Sequence, residues 1–179
     1  MSSFLSITGP TNYKTDYFMR MFYSDDRTLR STTAGGRASK SDSSLALADT
    51  IALKKAVKQI DNSLNKDDKN SLVEVSALVN TYNNMIESTH NKNSQEFSKL
   101  QKKVDSLLNK YKDELDKMGL SKSDGGALEF NKTRFSNTDI DQLKDLFSSK
   151  SKFGSELKKY VGKMAQEAYN YNSLIDLKL

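Results

Sequence analysis

Between Leu72 and Phe135 the chain carries two amphipathic helical patterns followed by a short glycine-bearing turn, and that order leaves few folds open. The second pattern is the cleaner. Phe97, Val104, Tyr111 and Met118 stand seven apart, Leu100 and Leu107 complete the seam, and the stripe drifts to Leu108 and Leu115. Glu114 takes the place a strict heptad gives to a leucine. Such drift marks a straight helix of period 3.6 in a short bundle rather than a long supercoiled coiled coil. The first pattern places Leu72, Val75, Leu78, Val79, Tyr82, Met85 and Ile86 on one side and fades near His90. Together they predict an antiparallel helical hairpin over 72–92 and 94–118. Ser71 and Glu74 have capping-box spacing at its start, with Asp67 and Asp68 as rival caps.

After Met118 the character changes. Gly119 reads as a C′ glycine, and 120–130 offers two short apolar pieces around the hairpin-type turn Asp124-Gly125-Gly126. Phe130 and Phe135 are placed to cover the end of the helical hairpin. Upstream, a helix over 45–64 shows one apolar face with Leu45, Ala48, Ala52, Leu53, Ala56, Val57 and Ile60. Downstream, a short helix begins near Asp139 and buries Ile140, Leu143, Leu146 and Phe147. A last helix over 151–169 turns Phe153, Leu157, Tyr160, Val161, Met164, Ala165 and Ala168 inward. Gly154 and Gly162 lie within it, each about 1 kcal/mol less favourable than alanine, so packing must hold this helix. The fold class is mainly α: a helical hairpin or bundle of four to five helices with a small β-hairpin-like insertion near 119–135. A helical domain over 45–168 is flanked by an irregular N-terminal arm (1–44) and a C-terminal tail (169–179).

Both flanks are more apolar than free ends require. The arm holds Phe4, Leu5 and Ile7, then Tyr13, Tyr17, Phe18, Phe22 and Tyr23; the tail holds Tyr169, Tyr171, Leu174, Ile175, Leu177 and Leu179. Periodicity does not choose between helix and strand at 17–23, nor between a frayed helix and an extended tail at 169–179. These residues form a candidate interface with other subunits or between the ends. The competing expectation is that they dock on the chain's own helices.

Composition narrows the class further. One proline in 179 residues leaves long stretches free to be helical. The net charge is +5, but lysines alternate with acids, as in Lys110–Lys117, which reads as a solvated helix face rather than a nucleic-acid footprint. No run approaches the roughly 20 apolar residues of a membrane span. The N-terminus shows no basic and then apolar leader, so if the protein leaves the cell it is expected to do so by a route that needs no cleaved signal peptide.

Chemistry is sparse. Cysteine is absent, which excludes disulfides and thiolate metal sites. The single histidine, His90, sits in a polar turn. The carboxylates are expected on exposed faces among lysines. Asp61-x-Ser63-x-Asn65 lacks the glycine and terminal glutamate of a calcium loop, and Gly35-Gly36 and Gly125-Gly126 lack phosphate-loop spacing. No enzyme, catalytic residue, metal or cofactor is expected.

The segment Leu78-Val79-Asn80-Thr81-Tyr82-Asn83-Asn84-Met85-Ile86 resembles a helix near the C-terminus of bacterial flagellar filament-capping (hook-associated) proteins. In that family the pattern apolar-Val-Asn-x-Tyr-Asn-x-x-Ile is followed by a second helix, a Gly-Ile, Asp-Gly-x-Leu and an apolar segment. Here Met118-Gly119-Leu120, then Asp124-Gly125-Gly126-Ala127-Leu128-Glu129-Phe130 and Phe135, keep that order with one extra residue after the glycine. Ala48-Asp49-x-x-Ala52-Leu53-Lys54-Lys55-Ala56 is similar to a helix preceding this region in cap-related proteins of some Gram-positive bacteria. The resemblance covers about 45–165 and implies the helical body near a filament axis. It does not extend to the β-rich outer domains of a full capping protein. It implies a structural subunit of a flagellum-like filament or its cap, at the bacterial cell surface, whose partners are copies of itself or other filament subunits. The alternative is a soluble cytoplasmic adaptor or export partner that binds a partner helix.

Overall fold

The computed structural model describes residues 13–24, 26, 29, 37–65, 71–90 and 94–176. The chain is mainly helical, with one small antiparallel hairpin. In chain order the described elements are α1 (Tyr13–Phe22), α2 (Asp42–Leu64), α3 (Ser71–Ser88), α4 (Gln95–Lys110), α5 (Lys112–Lys117), β1 (Leu120–Lys122), β2 (Leu128–Phe130), α6 (Lys132–Ser136), α7 (Ile140–Phe147) and α8 (Lys152–Asp176).

Local chemistry sets several of these boundaries. Ser41 caps α2 by accepting from Ser44 N, and Ser94 caps α4 by accepting from Phe97 N. Asp139 opens α7 with a full capping box completed by Gln142. The Glu74 carboxylate, in the first turn of α3, turns inward. It accepts from Gln59 Nε2 at 3.0 Å and from Ser63 Oγ at 2.5 Å, tying the first turn of α3 to the last of α2. The helix expected over 94–118 is two helices, interrupted at Tyr111, whose φ of −106° and ψ of 23° leave the helical region. Its ring stacks edge-on against Phe153 at 5.2 Å between centroids, so packing against α8 accompanies the break.

The core follows the predicted stripes. Ala52, Leu53, Ala56 and Ile60 of α2 meet Val75, Leu78, Tyr82 and Met85 of α3. Phe97, Leu100, Val104 and Leu107 of α4 and Phe153, Leu157, Val161 and Met164 of α8 complete it. The most extensive helix packing is that of α2 on α3, and α8 lies between α2 and α4, touching both. Within the 72–118 segment α3 packs chiefly on α2 and α4 on α8, so the two arms of the expected hairpin do not form a closely packed pair; between them the Tyr82 phenol is pushed above its ordinary range by burial and by the nearby Asp105 charge of α4.

At the hairpin, Leu120 pairs with Phe130 and Lys122 with Leu128. Gly126 (φ +84°) follows a turn closed by its own N–H to Ser123 O, the left-handed position that a three-residue hairpin loop assigns to glycine. Gly119 is required twice over. Its φ is +81°, and a Cβ there would stand 2.7 Å from Asn131 O.

Two open questions at the flanks close on helix. Tyr13–Phe22 is helical, so the segment 1–44 is not irregular throughout, and α8 continues to Asp176, past the end expected at 169.

Candidate functional site

Of the candidate interface residues, Phe4, Leu5, Ile7, Leu177 and Leu179 lie outside the described residues. Tyr13 belongs to α1, and Leu174 and Ile175 to the last turns of α8. Tyr17 and Tyr169 are exposed, at 63% and 58%, and are the only large apolar side chains so exposed among the described residues. Phe18 and Tyr171 are half-buried, Phe18 with its ring 5.6 Å from that of Tyr17. Phe22 and Tyr23 are buried in the chain's own core with Leu29, and α1 packs on α2 and α3. The structure therefore splits the aromatic group between a face turned inward and a face left open.

Beneath the inward face lies a polar centre. The Asp49 carboxylate, fully buried in α2, accepts from the Tyr23 hydroxyl at 2.6 Å. Both terminal nitrogens of Arg37 also donate to it, at 2.8 and 2.7 Å. Asn84 Nδ2 of α3 donates to the Tyr23 oxygen at 3.0 Å. Burial and the neighbouring Asp49 charge push the Tyr23 phenol well above its ordinary range. Burial alone would lower the pKa of Arg37, but the hydrogen bonds and charge of Asp49 reverse that and raise it. Both groups hold fixed charge states at any physiological pH, so this centre is a structural lock rather than a proton carrier.

Asp61 makes a second lock. It accepts from Ser149 N at 2.7 Å and from Lys158 Nζ at 3.0 Å, and so joins the end of α2 to the α7–α8 connection. Burial would raise its carboxyl, but these hydrogen bonds outweigh burial and hold it below the usual range. The stability it contributes is present above its unfolded value near 3.8 and is lost as pH falls through the lower folded value. Asp61→Asn should therefore flatten acid unfolding below pH ~4, as followed by circular dichroism. An unchanged acid limb would show that other carboxylates control it.

With Glu74, these residues correct the expectation that acids lie only on exposed faces: Asp49, Asp61 and Glu74 are all buried.

The third feature joins helix and hairpin. The Asn83 side-chain amide donates to Leu128 O at 2.9 Å and accepts from Leu128 N at 2.8 Å, taking the place of a neighbouring strand along the outer edge of β2. Removing it leaves one partly buried donor and one acceptor unmade, at a cost of about 1–3 kcal/mol. Asn83→Leu should speed amide hydrogen exchange at Leu128 while α2 and α8 keep their protection. Slow exchange in that variant would mean that the hairpin docks by apolar contact alone.

A cleft of about 430 Å³ is lined by Leu64, Asn65, Lys144, Asp145, Ser148, Lys150 and Ser151. Among the described residues no three His, Asp or Glu side chains group as metal ligands, and no helix is long and apolar enough to cross a membrane. No protein-family model matches the chain, and neither does any curated protein or solved structure.

Proposed function

We propose that this chain is a non-enzymatic assembly subunit of a bacterial flagellum-like surface filament or of its cap, acting through helix packing and its terminal segments. One observation carries most of the weight. The two motif pieces behind the flagellar-cap resemblance, Val79-Asn80-Thr81-Tyr82-Asn83 and Asp124-Gly125-Gly126-Ala127-Leu128, meet through the Asn83 amide and the Leu128 backbone. They are 45 residues apart, so neither is an isolated turn or helix pattern; each supplies half of one contact. The exposed Tyr17 and Tyr169 add apolar surface for a partner at the two flanks. Burying an aromatic ring of that size contributes about 1.5–3 kcal/mol.

Its partners on this reading are copies of itself or other filament subunits. In the bacterium that makes it, the tagged protein should co-sediment with surface filaments sheared from intact cells. Protein confined to the cytosol, with none on sheared filaments, would reject the filament and favour a soluble adaptor.

A further inference from the structure

The N-terminal helix is tied down at one end. Its polar links leave from Tyr23 and the residues just after it. The Tyr23 hydroxyl donates to Asp49 at 2.6 Å and accepts from Asn84 Nδ2 at 3.0 Å. Ser24 Oγ accepts from Lys55 Nζ at 3.1 Å, and Asp26 pairs with Lys40 at 2.8 Å. Upstream of that clasp the attachment changes character. Among the described residues, no side chain from Tyr17 to Met21 forms a hydrogen bond or ion pair with α2 or α3. Phe18, Met19 and Met21 rest on the core by apolar contact, and Tyr17 and Arg20 are exposed.

The core beneath is built from later residues. Phe22, Tyr23 and Leu29 join the buried cluster from this segment, and every other buried member of it lies at Ala52 or beyond. The packing of α2 on α3, and of α8 on α2 and α4, proceeds without α1. With 10 residues, α1 is too short to keep its backbone hydrogen bonds in water by itself, so undocking and uncoiling are one event. An element joined to the body through few buried contacts opens at a lower free energy than the body itself. We infer that α1 is a strap: it leaves its seat on α2 and α3 as one unit while the bundle of α2, α3, α4 and α8 stays folded, and the Tyr23–Asp49–Asn84 clasp sets how often it does so.

The strap carries one of the two exposed aromatic rings. Tyr17 lies on α1 and moves with it, whereas Tyr169 is fixed to α8. On the assembly function proposed above, the subunit therefore offers a partner one ring on a rigid helix and one on an element that shifts without unfolding the body. That consequence rests on the assembly reading; the opening itself does not.

Native-state hydrogen exchange of the full chain, in rising but sub-denaturing urea, reads the opening amide by amide. The amides of residues 18–23 should share one rate, at least about tenfold faster than the core amides of α2, α4 and α8. Their urea dependence should be shallow, because the opening exposes little surface. Tyr23→Phe removes both the donor to Asp49 and the acceptor of Asn84. It should speed those amides a further roughly ten- to hundredfold at the same shallow slope. Amides of α1 that follow the body in both rate and slope overturn the strap, because α1 then leaves only with global unfolding. Rates that fall smoothly from residue 18 to residue 23 overturn it too, as fraying from the end rather than release of a unit. Unchanged α1 rates in Tyr23→Phe overturn the clasp as the control. The measurement on the parent decides the opening even where the variant does not fold. None of these outcomes involves sheared filaments, so the strap and the filament proposal stand or fall separately.

Discussion

Gly154→Ala should destabilise the fold by about 2–3 kcal/mol, a fall in Tm of roughly 4–12 °C for a chain of this length. Gly154 is buried in the first turn of α8, with its N–H bonded to Ser151 Oγ at 2.9 Å. A Cβ there would collide with Ser148 O and would stand 2.6 Å from Phe147 O and 2.8 Å from Phe147 C. These are backbone atoms of the preceding turn, and no rotamer change moves them aside. Space, not backbone conformation, dictates the glycine. Gly162 supplies the contrast on the same helix. A Cβ there meets nothing within 4 Å, so Gly162→Ala should stabilise by about 0.5–1 kcal/mol through helix propensity alone. Thermal unfolding of the pair separates the two effects. An alanine tolerated at 154 would mean that α7 and α8 do not meet at so tight a corner.

Arg37→Ala should cost about 3–5 kcal/mol, because it removes both guanidinium hydrogen bonds from the buried Asp49 carboxylate and leaves the Tyr23 hydroxyl donating to an uncompensated charge. Asp49→Ala should be comparably severe, since it leaves the guanidinium and the phenol without their acceptor. The double variant should lose clearly less than the sum, because the two side chains act as one unit. Urea midpoints at constant slope measure all three. Simple additivity would show that the N-terminal segment is held by Phe22, Tyr23 and Leu29 packing and that the polar centre adds little.

The helices were legible because each buries a continuous stripe, and stripes are written at fixed spacing. Positions 53, 56 and 60 of α2, and 97, 100, 104 and 107 of α4, carry apolar residues where the core needs them. The small hairpin was legible for a different reason: Gly119 and Gly126 both adopt positive φ, which few other residues tolerate. The polar locks were missed, although a signal was present. Asp49 falls between Ala46 and Leu53 in the register of the buried face of α2, and Asp61 follows Val57 by four. An acid inside an apolar stripe is either paired or ruinous, and that rule points to a partner without naming it. Naming Arg37, Tyr23 or Lys158 needs the fold, because these partners lie 12, 26 and 97 residues away. The break at Tyr111 had no sequence signal either, since no glycine or proline marks it.

The position of α8 between α2 and α4 has a consequence for how the protein is made. The flanks of the slot, α2 and α4, leave the ribosome before the helix that fills it. Between the end of α2 and the start of α8 lie nearly ninety residues, on the order of ten seconds of synthesis at common elongation rates. Through that interval the apolar faces awaiting Phe153, Val161 and Met164 have no native cover. A nascent chain in that state is a natural client for a holding chaperone, and pausing after α4 would lengthen its exposure to wrong partners.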